Sequence, residues 1–110
     1  MQISSQPHES FTVVRIEGNL DTNTAPEAQQ HLDQLQDDGT DKIVVNFEAV
    51  DYVSSAGLRV LLATAKRLGA TGGELRICGL NEIVNEVFEM SGFSMILNVF
   101  VTEAEAVGGT

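Results

Sequence analysis

Basic side chains are scarce in this chain. Six lysines and arginines stand against 16 aspartates and glutamates, a formal net charge of −10 over 110 residues. Nucleic-acid binding draws its affinity from basic groups that displace counterions, and an anionic bilayer surface attracts the same groups. The charge balance argues against both partners, and it suits a docking site for something basic. Cysteine is scarcer still. Cys78 stands alone, which excludes an internal disulfide and argues against a cysteine-rich metal site. No apolar run approaches the roughly 18 residues that span a bilayer, and the opening stretch MQISSQPHES has neither the basic nor the apolar region of a secretory signal. The expectation is a cytoplasmic protein of one domain, residues 1–110, with a 43% apolar fraction sufficient for a single core.

Strand and helix patterns alternate along the chain. Ser10 to Gly18 places Phe11, Val13 and Ile16 with the spacing of a half-buried strand. MQIS before it reads as an edge strand, with Pro7 and His8 in the intervening turn. TAPEAQQHLDQL reads as a helix: Thr24 stands at the N-cap, Glu27 at capping-box spacing, Pro26 in the first turn, and Ala28, Leu32 and Leu35 form a stripe. Gly39 is placed to end it. The β-branched run of KIVVNF, Lys42 to Phe47, reads as a strand covered on both faces or central in a parallel sheet. Leu58, Leu61, Leu62, Ala65 and Leu68 then recur at helical spacing with Arg59, Lys66 and Arg67 outward. GATGG is expected as a loop and ELRICGL as a strand. A helix follows from the Asn81 cap to Gly92, with Ile83, Val84, Val87 and Phe88 inward. SMILNVFV is expected as the next strand, and Thr102 with Glu105 repeats the capping-box spacing for a short helix. The order predicts an α/β fold with a mixed, mostly parallel sheet of about five strands and about four helices. The first two strands are expected to form an antiparallel pair.

Enzyme chemistry finds little support in this pattern. A nucleophile elbow needs glycine two residues either side of its serine. Ser55 has Gly57 after it but Val53 before it. Both histidines, His8 and His31, precede Ser55 and read as exposed polar residues. GATGG lacks the lysine and spacing of a phosphate-binding loop. The carboxylates are scattered along helix faces rather than set at metal-ligand spacing, so no metal and no cofactor are expected.

The stretch YVSSAGLRVLL, Tyr52 to Leu62, is different. One serine at a helix start satisfies an orphan N–H, but that does not explain two serines followed by Ala56 and Gly57. Glycine inside a first turn lowers helix stability by about 1 kcal/mol relative to alanine. The site follows a strand's carboxyl end, where open α/β sheets carry functional groups. A phosphate on a serine here lies beside free N–H groups and the positive helix end. Ser54 and Ser55 both remain open to a capping or a functional reading on spacing alone.

GNLDTNTA (Gly18 to Ala25), VDYVSSAGLRVLL (Val50 to Leu62) and VFEMSGF (Val87 to Phe93), in that order, resemble the STAS domain of bacterial anti-sigma factor antagonists. The resemblance spans nearly the whole chain. It implies a non-enzymatic protein that binds an anti-sigma factor serine kinase and is switched by phosphorylation, with a PP2C-type phosphatase reversing the modification. The family pattern at the site is Asp-Ser-Ser/Thr-Gly-Leu, and its first serine takes the phosphate. That position falls on Ser55, with Ser54 where the family has its acid and Ala56 where it has a second hydroxyl. The departure leaves Ser54 as a second candidate phosphosite. Asp21 matches the aspartate of the family's Gly-x-Leu-Asp segment. The partner-binding set is then Asp21, Thr24, Ser54, Ser55, Ala56, Gly57 and Arg59. The alternative is a STAS module that senses a small ligand or scaffolds a complex without phosphorylation.

Overall fold

The computed structural model describes residues 1–108. Five strands form one sheet: β1 (Gln2–His8), β2 (Phe11–Leu20), β3 (Lys42–Val53), β4 (Glu74–Cys78) and β5 (Asn98–Phe100). They lie side by side in chain order. β1 is antiparallel to β2, and the remaining pairs are parallel. The helices are α1 (Ala25–Asp37), α2 (Ser55–Ala70), α3 (Glu82–Met90) and α4 (Glu103–Gly108). This is the α/β architecture expected from the pattern.

The strand order fixes where the helices go. Each parallel strand adds to the same side of the preceding one, and crossovers of one hand then place successive helices on one face. Accordingly, α1 (Ala28, Leu32), α2 (Leu58, Leu61, Leu68) and α3 (Val84, Phe88) share one core cluster with Val14, Ile16, Val45, Phe47 and Ile77. On the opposite face a smaller cluster joins Phe11, Val13, Val44 and Cys78 to Ala106 and Val107 of α4. The strand order never reverses. The crevice that a reversal opens at the carboxyl edge of doubly wound sheets is therefore missing here, and that edge is a surface.

Several local expectations need correction. Pro7 and His8 belong to β1, and the turn is Glu9–Ser10, with Glu9 at φ 56°. Proline is tolerated there because β1 is an edge strand. Thr24 precedes α1 but makes no side-chain cap, because its hydroxyl is engaged with the Asp21 loop. The box at Thr102 does form: the Glu105 N–H donates to Thr102 Oγ1 at 3.1 Å. Ile83 is 60% exposed rather than inward. The apolar run from Met95 does not all become strand. Gly92, at φ 75°, turns the chain into a single 3-10 turn, Phe93–Met95, and only Asn98–Phe100 pairs with β4. β3 runs on to Val53, six residues beyond the β-branched run, with register shifts against β2 near Glu17 and Gly18.

Candidate functional site

β2 and β3 end together, with Leu20 in register with Val53. The Ser54 N–H donates to the Leu20 carbonyl at 2.9 Å, so the loop after β2 and the start of α2 leave the sheet from one point. Asp21, Thr24, Ser54 and Ser55 are thereby brought to one edge.

Ser54 is the N-cap of α2. Its backbone is extended, and its Oγ accepts from the Gly57 N–H at 3.4 Å, while its carbonyl accepts from Leu58 N–H at 2.9 Å. Ser55 is the first residue of the helix and is exposed. Its hydroxyl makes no hydrogen bond among the described residues. The two serines left open by the sequence thus differ: one hydroxyl is spent on the helix end, and the other is free at the positive end of the helix dipole. No acidic residue occupies the first turn of α2. Arg59, four residues after Ser55, is exposed on the same side of the helix.

Asp21 shapes its own loop. Its Oδ1 accepts from the Asn23 N–H at 3.0 Å and the Thr24 N–H at 3.2 Å, an Asx turn. Thr24 Oγ1 accepts from the Asp21 N–H at 2.9 Å and donates to the Asn19 carbonyl at 2.8 Å. The second carboxylate oxygen of Asp21 has no partner among the described residues.

Gly57, expected in the partner-binding set, faces the chain's own backbone instead of the surface. It is buried, and a Cβ would come within 2.7 Å of the Leu20 carbonyl oxygen and 2.8 Å of Val53 Cγ2. Gly57 exists so that α2 can rest on the ends of β2 and β3. Ala56 is half-buried against the main core. Tyr52, next to last in β3 and 47% exposed, is an aromatic residue two positions before Ser54 that the sequence expectations did not include. An aromatic at the end of a strand otherwise interrupted by Asp51 was the available signal.

Neither histidine serves the serine. His8 pairs in register with Phe11 at the opposite end of β2, and both histidines are half-buried rather than exposed. His8 bonds Glu103. Cys78 is buried, and burial, with the charges of Glu103 and Glu48, pushes its thiol up to about 11. Among the described residues, no cluster of three or more histidine, cysteine, aspartate or glutamate side chains is arranged to hold a metal.

The fold and this edge define a small α/β domain that presents an unpaired serine hydroxyl on a surface rather than in a cleft. The sequence signature of the STAS domain matches residues 2–106, and the chain belongs to that family. An anti-sigma-B factor antagonist of Staphylococcus aureus (strain NCTC 8325 / PS 47) is 33% identical over 99 residues, covering 90% of this chain and 92% of the relative. An anti-sigma factor antagonist from Mycobacterium paratuberculosis superposes with a TM-score of 0.89 at 23% identity, over 97% of this chain and 91% of the other. The Bacillus cell fate determinant SpoIIAA in its phosphorylated form superposes with a TM-score of 0.74 at 21% identity, each chain covered to 97%. The last two likenesses speak to the fold. No helix among the described residues is long and apolar enough to cross a membrane.

Proposed function

We propose that this chain is a cytoplasmic anti-sigma factor antagonist, a binding protein rather than an enzyme. Unmodified, it covers an anti-sigma factor serine kinase. Transfer of the γ-phosphoryl group of ATP to Ser55 Oγ, with ADP as the leaving group and the hydroxyl proton passing to the kinase, ends the complex. A PP2C-type phosphatase restores it. The single observation carrying this reading is the division of labour between the serines: Ser54 caps, and Ser55 stands exposed with an unpaired hydroxyl. The 33% identical relative named as an anti-sigma-B factor antagonist supplies the partner class.

The physical basis of release is local. A phosphoserine adds about 1.5 to 2 negative charges at neutral pH. The helix end tolerates that charge in water, but an interface closing over it has to strip its hydration. Asp21, Thr24, Ala56 and Arg59 lie around Ser55 and form the rest of the contact surface, with Gly57 and Ser54 supporting it from beneath.

Incubation with an anti-sigma factor kinase and ATP, read by intact mass, is expected to add one phosphate. Ser55→Ala is expected to add none and to keep binding the kinase, whereas Ser55→Asp binds more weakly. Phosphate located on Ser54 or Thr64 by fragmentation overturns the assignment. Kinase binding without any phosphate gain points instead to a phosphorylation-independent scaffold.

A further inference from the structure

The sheet face turned away from α1, α2 and α3 has one covering element among the described residues, α4, and that element is small. Six residues make an α-helix too short to persist alone, so α4 is helical because it is docked. Two of its side chains, Ala106 and Val107, are buried, against Phe11, Val13, Val44 and Cys78. The other attachment is polar. One oxygen of Glu103 accepts from Arg15 Nη2 at 2.6 Å and Asn46 Nδ2 at 2.9 Å. Its second oxygen meets His8 Nδ1 at 2.5 Å, so that nitrogen carries the proton. A further bond runs from Arg76 Nη1 to the Ala106 carbonyl at 2.8 Å. Four successive strands therefore each hold α4 by one side chain, and three of those four bonds end on one carboxylate.

We propose that residues 102–108 form a strap that leaves the sheet as a unit while the rest of the fold stays intact, with the Glu103 carboxylate as its clasp. The clasp is concentrated, the apolar plug is two small side chains, and the three larger helices belong to a separate core on the other face. Undocking uncovers Phe11, Val13 and Val44 and opens Cys78 to solvent. It leaves the Ser55 edge untouched, so this device is independent of the proposed switch at that serine.

Cys78 is the chain's single cysteine and reports the opening without any added probe. The intact protein is treated with an aromatic disulfide reagent at a series of low urea concentrations, and amide exchange is followed on the peptide spanning 102–108. The expected result is a thiol-labelling rate with a urea slope well below that of global unfolding, with strap amides exchanging ahead of those in β2 and β3. Glu103→Ala is expected to raise the labelling rate at least tenfold while the circular-dichroism unfolding midpoint stays in place. Val107→Ala, which leaves the polar clasp whole, is the milder control and moves labelling in the same direction. Labelling in the parent protein that follows the full urea slope of unfolding overturns the proposal. So does a shift of rate and midpoint in parallel for both variants.

Discussion

At the Ser55 edge, neighbouring residues with similar chemistry do different work. Gly57 has its missing side chain against the Leu20 carbonyl and Val53. Gly57→Ala is therefore expected to lower stability by about 1–3 kcal/mol, as overpacking does, despite alanine's better helix propensity. Urea denaturation measures it, and a more stable variant contradicts the packing account. Asp21 separates into shape and charge. Asp21→Asn keeps the carbonyl oxygen that closes the Asx turn, whereas Asp21→Ala removes it and should cost about 1 kcal/mol. If the carboxylate also docks a basic group on the kinase, Asp21→Asn leaves the melting temperature near the parent value but slows Ser55 phosphorylation. It also flattens the salt dependence of binding, since surface charges are screened within roughly 10 Å at 0.1 M salt. Equal rates and salt slopes confine Asp21 to the turn. Of these residues, spacing made Ser54 and Ser55 stand out but could not rank them, and only the family resemblance put Ser55 first. A one-residue uncertainty in where a helix starts exchanges the cap for the first helical residue. It misplaced Gly57 for a related reason, because a run of small residues looks the same whether a partner or the chain's own backbone approaches it.

Long periodic segments were legible as elements, and their ends were not. α1, α2 and β2 follow from apolar spacing that covers most of their length. β3 was visible only through Phe47, because its last six residues expose Glu48, Ala49, Asp51 and Tyr52 around buried Val50 and Val53, a pattern that register shifts impose and alternation does not describe. The apolar residues Met95 and Ile96 read as strand, yet they lie in and just after the turn that Gly92 begins, 91% and 61% exposed. α4 offers a test at this scale. Burial works to raise the Glu103 carboxyl, but the hydrogen bonds from Asn46 and His8 and the charge of Arg15 outweigh it and hold it below the usual carboxylate range. A carboxyl lowered by docking stabilises the docked state above its free value, and that contribution is lost as pH falls through the lowered one. The groups facing it are His8 from β1, Arg15 from β2 and Cys78 from β4, with Glu48 of β3 nearby. The methyl signals of Val107, followed by NMR on acidification, are expected to shift toward solvent-exposed values below about pH 4, the ordinary carboxylate range. In Glu103→Gln that acid transition should be lost or much reduced. An unchanged transition in the variant assigns it to another carboxylate.

Across the whole molecule, stability rests on the three-helix face. Phe88 of α3 meets Phe47 edge-on with ring centres 6.0 Å apart and Phe93 at 6.4 Å, joining helix, central strand and the turn before β5. Phe88→Ala is expected to cost about 3–5 kcal/mol, read as a drop in the urea midpoint. A loss below about 1 kcal/mol means the site collapses around the gap. The alternation of strand and helix was enough to foresee a mostly parallel sheet, but not the order of its strands, which no local spacing encodes. That order bears on how the molecule is made. Strands adjacent in the sheet are adjacent along the chain throughout, so no strand has to be inserted between two already paired. The sheet can grow by addition at its margins from β2 and β3, each step closing a loop of only one helix and its connections. Nascent chains emerging from a ribosome add their segments in this same direction, so β1 through β3 can assemble before β5 has been synthesised, with few long-range contacts left to wait for.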